Sequence, residues 1–296
     1  GKSWVLRAFA VRLARAQAGA DSAWLPLRLP LATLSSIDEA IAVHEHVEAL
    51  ARAKAEGRLV LLLDGLDEVP IDARGATLAA VDAAARECVA VVLCTRPNAA
   101  NVDELAPLGF RFFAAMPLSA EAVAAALGNA PMAEFVETPL ALSLAVHALE
   151  RGESPASRAE LYSSAIDGLV VGVNGDGAGA ALARQALAGV KMLSRLHELA
   201  TRAHSANVIT LSGGDVLAAL DGDKRAAAAA WRLARAGELP LVVARGDALA
   251  FAHLSFQEHL AAEVLGVKAL FGDKVKLGDS WWGDALLTAW ELAGPA

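Results

Sequence analysis

Two unbroken apolar runs, Leu59 to Leu63 and Ala90 to Cys94, constrain this chain more than any other feature in it. A strand with one wet face alternates apolar and polar residues, so an unalternating run implies burial on both faces. Helical patterns flank the runs at about Lys2 to Ala18, Ile37 to Glu56 and Arg74 to Glu87. The middle one opens with Ser36 as N-cap and Asp38 and Glu39 in its first turn. Buried strands separated by helices predict a parallel sheet covered on both sides. Leu25 to Leu29 is a further short strand, placed at an edge because Pro26 has no N–H for a ladder. The weaker run Arg111 to Ala115 predicts another strand. In the first helix, Trp4, Val5, Ala8, Phe9, Val11 and Leu13 are expected to form the apolar face, with arginines opposite.

Beyond Pro117 helices dominate. They are expected at Ser119 to Leu127, Pro139 to Arg151, Ser157 to Leu169, Ala180 to Ala203, Gly214 to Leu220, Lys224 to Ala236, His253 to Val267 and Trp282 to Leu292. Leu239 to Val243 and Ala248 to Ala252 flank Arg245-Gly246-Asp247 and predict a β-hairpin. Helices followed by a hairpin predict a winged-helix module, and the glycine-rich stretch Gly172 to Gly179 a linker before it.

Composition narrows the function. A 55% hydrophobic chain buries enough surface to fold, which excludes disorder. No window reaches the ~18 uninterrupted apolar residues of a membrane span. With 26 Lys+Arg against 34 Asp+Glu, the net charge of −8 argues against a phosphate-tracking nucleic-acid surface. Cys88 and Cys94 make neither a disulfide framework nor a zinc site, and Cys94 reads as a buried strand thiol. No signal peptide is recognisable, so a reducing cytoplasmic setting is expected. Position 1 is Gly and the first methionine is Met116, so a segment upstream is expected too.

Three segments carry chemistry. Gly1-Lys2-Ser3 stands where a helix starts; in a phosphate loop the lysine reaches the outer phosphates and the hydroxyl binds Mg²⁺. Leu59 to Leu63 delivers Asp64 at a strand's C-terminal end, the edge at which open α/β sheets bind ligands, so Asp64 is placed to hold Mg²⁺. Gly65 leaves room beside the phosphates, and Asp67 or Glu68 can polarise an attacking water. The second buried run ends in Thr95-Arg96-Pro97, where Arg96 can contact a γ-phosphate.

The block Leu61 to Glu68 resembles the extended Walker B of NACHT ATPases, the STAND-class relatives of NOD-like receptors and bacterial antiphage sensors. Thr95-Arg96-Pro97 resembles that family's sensor 1, and Thr138-Pro139-Leu140 its proline motif. Ser157 to Tyr162 and Phe251 to Ala262 are also similar to family segments, the latter to the winged-helix signature. The resemblance implies an α/β P-loop NTPase over 1–117, lacking its central first strand because the family's phosphate loop begins upstream of Gly1. It implies a helical domain over 118–177, a winged-helix domain over 178–270 and the start of a helical region over 271–296. It also implies ATP or ADP with Mg²⁺ as ligands, Pro139 against the adenine and His253 on the ADP β-phosphate.

The implied activity is a slow ATPase acting as a signalling switch in innate immunity or antiphage defence. ADP holds it off and ATP drives homo-oligomerisation, with effector and sensor domains outside the sequence and no membrane or nucleic-acid partner. The alternative is a DNA-binding regulator in which Lys224, Arg225, Arg232 and Arg235 supply positive charge before the hairpin. The other histidines carry less. His44 and His46 are spaced wrongly for a helical metal pair, His197 and His204 fit a helix flank, and His259 is expected on a solvated helix face.

Overall fold

The structure is a computed structural model that describes residues 2–17, 23–31, 36–69, 71–96, 102–171, 192–270 and 281–294. Gly1, Pro97 and the expected linker Gly172 to Gly179 lie outside the described residues. The chain divides into two compact units, Gly1–Met116 and Pro117–Ala296.

The first unit holds three parallel strands, β1 (Leu25–Pro30), β2 (Leu59–Asp64) and β3 (Ala90–Cys94), in the order β1-β2-β3. Among the described residues β1 is an edge strand, where the missing N–H of Pro26 costs no ladder bond. Every residue of β2 is buried, and its two faces explain the unbroken apolar run. Leu59, Leu61 and Leu63 enter a core with Ile37, Ile41, Leu50, Leu78 and Val81. Val60 and Leu62 face Leu6, Ala10 and Leu13 of α1 (Lys2–Ala16). No gap separates the three strands, so any further strand would join the sheet at an outer edge.

Three expectations need correction here. The face that α1 buries is Leu6, Ala10 and Leu13, whereas Trp4 stays 64% exposed and Val5, Phe9 and Val11 are exposed too. Apolar residues surround this helix, so periodicity alone does not choose the buried face. The expected helix Ile37 to Glu56 is two helices, α2 (Ile37–Ala42) and α3 (Val47–Ala55). A continuous helix would place Leu50 and Ala53 opposite Ile37 and Ile41 at about 100° per residue. The break, in which His44 Nδ1 accepts the His46 N–H at 3.1 Å, lets both pairs be buried. Arg111 to Ala115 forms no strand: nothing supplies it with a ladder among the described residues, and Phe113 is 89% exposed.

Helix α4 (Ile71–Ala85) covers the Leu59 side of the sheet, followed after β3 by α5 (Val102–Leu105).

The second unit is a helical body with a small antiparallel sheet. Its helices are α6 (Ala120–Leu127), α7 (Pro139–Glu150), α8 (Arg158–Val171), α9 (Met192–Ser205), α10 (Gly213–Ala219), α11 (Lys224–Ala236), α12 (Leu254–Leu270) and α13 (Gly283–Ala293). Ser119, Thr138, Ser212 and Asp223 cap α6, α7, α10 and α11 through their side chains. The expected hairpin is present as β5 (Val242–Arg245) and β6 (Ala248–Phe251), and β4 (Thr210–Ser212), which has no sequence signal, pairs with β6. One hydrophobic core runs from Val123 on α6 to Leu260 on α12.

Candidate functional site at the carboxyl edge of the parallel sheet

Register brings Pro30, Asp64 and Cys94 side by side where the three strands end. The turn after β2 is then fixed by backbone geometry. Gly65 has φ 84°, a left-handed conformation, and its N–H donates to the Cys94 carbonyl at 3.1 Å. A Cβ at Gly65 would stand 2.9 Å from Glu68 Cδ, part of a flexible side chain that can move aside, so it is the left-handed backbone that calls for glycine. Buried Leu66 anchors the following 3₁₀ turn, Leu66–Glu68, in the core.

That turn aims Asp67 back at the strand ends. Its side chain is only 5% exposed and is held by two cations. Lys2 Nζ donates to both carboxylate oxygens at 2.8 Å. The Arg96 backbone N–H donates to Oδ1 at 3.2 Å, and Arg96 Nε lies 3.2 Å from Oδ2. A helix start, a turn and a strand end thus converge on one carboxylate. Asp64, also buried, has Arg28 Nη2 3.7 Å from its Oδ2, a looser charge contact. Burial, and then the Asp64 carboxylate, push the Cys94 thiol up, so it stays neutral beside the site.

Most of the residues expected at a nucleotide site in this unit therefore meet at one edge. Lys2, Asp64, Asp67 and Arg96 lie there, Glu68 packs half-buried against Gly65, and Ser3 is exposed in the first turn of α1. Arg28 was not anticipated. A lone cation in the apolar strand Leu25–Pro30 was the signal available for it.

Pro139 and His253 belong to the second unit. Pro139 occupies the first turn of α7, where its fixed φ suits a helix start. His253 is exposed before α12, and its Nδ1 accepts the Ser255 N–H at 3.2 Å, so the ring caps the helix. His259 is not solvated as expected but buried, stacked on Tyr162 with its Nε2 3.0 Å from Ser163 Oγ. Glu263 joins this network, accepting from Ser163 Oγ at 3.0 Å and lying 2.8 Å from His197 Nε2. His204 is fully buried against Trp281 and Trp282. Among the described residues no group of three or more His, Cys, Asp or Glu side chains could hold a metal ion by itself. None of the described helices is long and apolar enough to cross a membrane.

No protein-family model matches the chain, and no curated protein matches it in sequence.

Proposed function

We propose that this protein binds ATP and ADP with Mg²⁺ at the carboxyl edge of its parallel sheet and works as a nucleotide-dependent switch of the NACHT type. The supporting observation is the convergence of Lys2, Asp67 and Arg96 beside Asp64, from three separate segments, where three parallel strands end. Parallel α/β sheets bind ligands at that edge. The donor set fits the ligand: a lysine and an arginine suit phosphate oxygens, and the Asp64 carboxylate suits a hard divalent ion.

On this reading the first unit is a P-loop NTPase domain. The winged-helix domain spans 178–270 on this reading, and within it residues 192–251 supply a helix, a strand, two helices and a hairpin. Lys2 holds the outer phosphates, Arg96 distinguishes tri- from diphosphate, and Asp64 with the Ser3 hydroxyl would hold Mg²⁺. The metal, when bound, neutralises phosphate charge. Asp67 and Glu68 hold the attacking water, and Pro139 and His253 take the adenine and ADP β-phosphate roles that the resemblance assigns. ADP keeps the protein off, exchange for ATP permits homo-oligomerisation, and slow hydrolysis resets it.

Calorimetric titration of the full-length protein with ATP and ADP, with and without Mg²⁺, tests this reading. Both nucleotides should bind, and Asp64→Asn should erase the gain that Mg²⁺ gives ATP. A folded protein that binds neither nucleotide refutes it. A second reading, DNA binding, has one observation in its favour: Lys224, Arg225, Arg232 and Arg235 are exposed on one side of α11. Salt-dependent duplex binding lost on neutralising them would support it.

A further inference from the structure

Asp67 is fully engaged. Each oxygen accepts once from Lys2 and faces one nitrogen of Arg96, so Lys2 and Arg96 together occupy both lone-pair faces of a carboxylate that solvent barely reaches. The same two cations are those that the nucleotide reading assigns to phosphate. A carboxylate and a phosphate oxygen draw on the same donors with the same chemistry, so they compete.

We propose that Asp67 is a built-in competitor for phosphate: it holds Lys2 and Arg96, and a bound phosphate takes them over and releases its carboxylate. The proposal rests on the nucleotide reading above and adds to it an order of events. A carboxylate saturated by two cations has no free oxygen with which to orient water. Phosphate binding therefore creates the water-holding group, and hydrolytic competence appears only once the ligand is seated. Asp64 has no such role, because among the described residues its ion pair is the looser contact with Arg28 at 3.7 Å, and neither Lys2 nor Arg96 is bonded to it.

The test is the affinity of the full-length protein for ATP and for pyrophosphate in the absence of divalent metal, which removes the metal's own contribution. Asp67→Asn keeps the shape and loses the competing charge, so both probes should bind about tenfold tighter, a change of about 1.4 kcal/mol. Adding Lys2→Met to that variant should abolish the gain. Asp64→Asn removes the same charge from the same edge without freeing Lys2 or Arg96, and should give a smaller change. An Asp67→Asn protein that binds no tighter than wild type, or a gain matched by Asp64→Asn, overturns the proposal while leaving the nucleotide reading intact. If wild type and variant both bind neither probe nor ATP with Mg²⁺, the nucleotide reading fails and takes the proposal with it. Should Asp67→Asn not fold, Asp67→Ala carries the same comparison.

Discussion

Removing the Glu263 carboxylate should destabilise the second unit in a manner that depends on pH. Glu263, on α12, ties three helices together through Ser163 on α8, His197 on α9 and His259 one turn before it on its own helix. Burial opposes its ionisation, yet hydrogen bonds from His197, His259 and Ser163 outweigh that and hold its carboxyl below the usual range. A depressed carboxylate contributes stability above its unfolded pKa of about 4.3, and loses it as pH falls toward the folded value. Each charge-assisted bond contributes about 1.5–3 kcal/mol at most. The Glu263 side chain is 24% exposed, so solvent screens part of this. Glu263→Gln, which keeps one acceptor, should then cost about 2 kcal/mol at pH 7. In a unit of this size that lowers the melting temperature by roughly 4–8 °C. Thermal melts of both proteins at pH 7 and pH 3 provide the assay, with the gap narrower at the lower pH. A gap of equal size at both pH values, or none at pH 7, would refute the argument.

Gly65→Ala should cost about 1–2 kcal/mol from its left-handed backbone alone, and displace Glu68 in addition; chemical denaturation reads the loss, and an unchanged midpoint would mean that the turn is not fixed as described. His253→Ala should speed ADP release from the full-length protein; a lower melting temperature with an unaltered off-rate would confine this histidine to capping α12.

Legibility in the sequence followed how strongly each pattern was determined by one partner. The run Leu59 to Leu63 admitted only a strand buried on both faces, and so β2 and the acids at its end were readable without a structure. The helix α1 was readable as a helix but not as to its face, because Trp4, Val5 and Phe9 compete in hydrophobicity with Leu6, Ala10 and Leu13. The sheet selects the aliphatic set. Strand β4, three residues long, is too short to show a period. His259 was misplaced for a similar reason. Phe256, Leu260, Ala261 and Ala262 spread around α12, so no polar face could be read, and its neighbours Tyr162 and Ser163 are nearly a hundred residues away. At the candidate site, the residue types at the strand ends were legible, but their pairing was not. Nothing local in Lys2 or Arg96 says that both turn to Asp67 rather than Asp64.

That choice of partner bears on where nucleotide affinity can originate. If phosphate replaces Asp67 on Lys2 and Arg96, charge-assisted bonds of about 1.5–3 kcal/mol each are broken and remade, and the exchange itself is nearly neutral. At Asp64 the balance differs. Its contact with Arg28 is long, and Arg28 is 37% exposed, so displacing it costs at most about 1 kcal/mol. On the nucleotide reading, the Mg²⁺-dependent gain therefore comes through Asp64, while the Asp67 cluster sets the order of events and holds the metal-free affinity down. The two are also mechanically linked. The turn carrying Asp67 is bonded to the end of β3 both through Gly65 N–H to the Cys94 carbonyl and through Asp67 to Arg96. The first of these does not involve the Asp67 side chain, so losing the second leaves the turn still bonded to the end of β3.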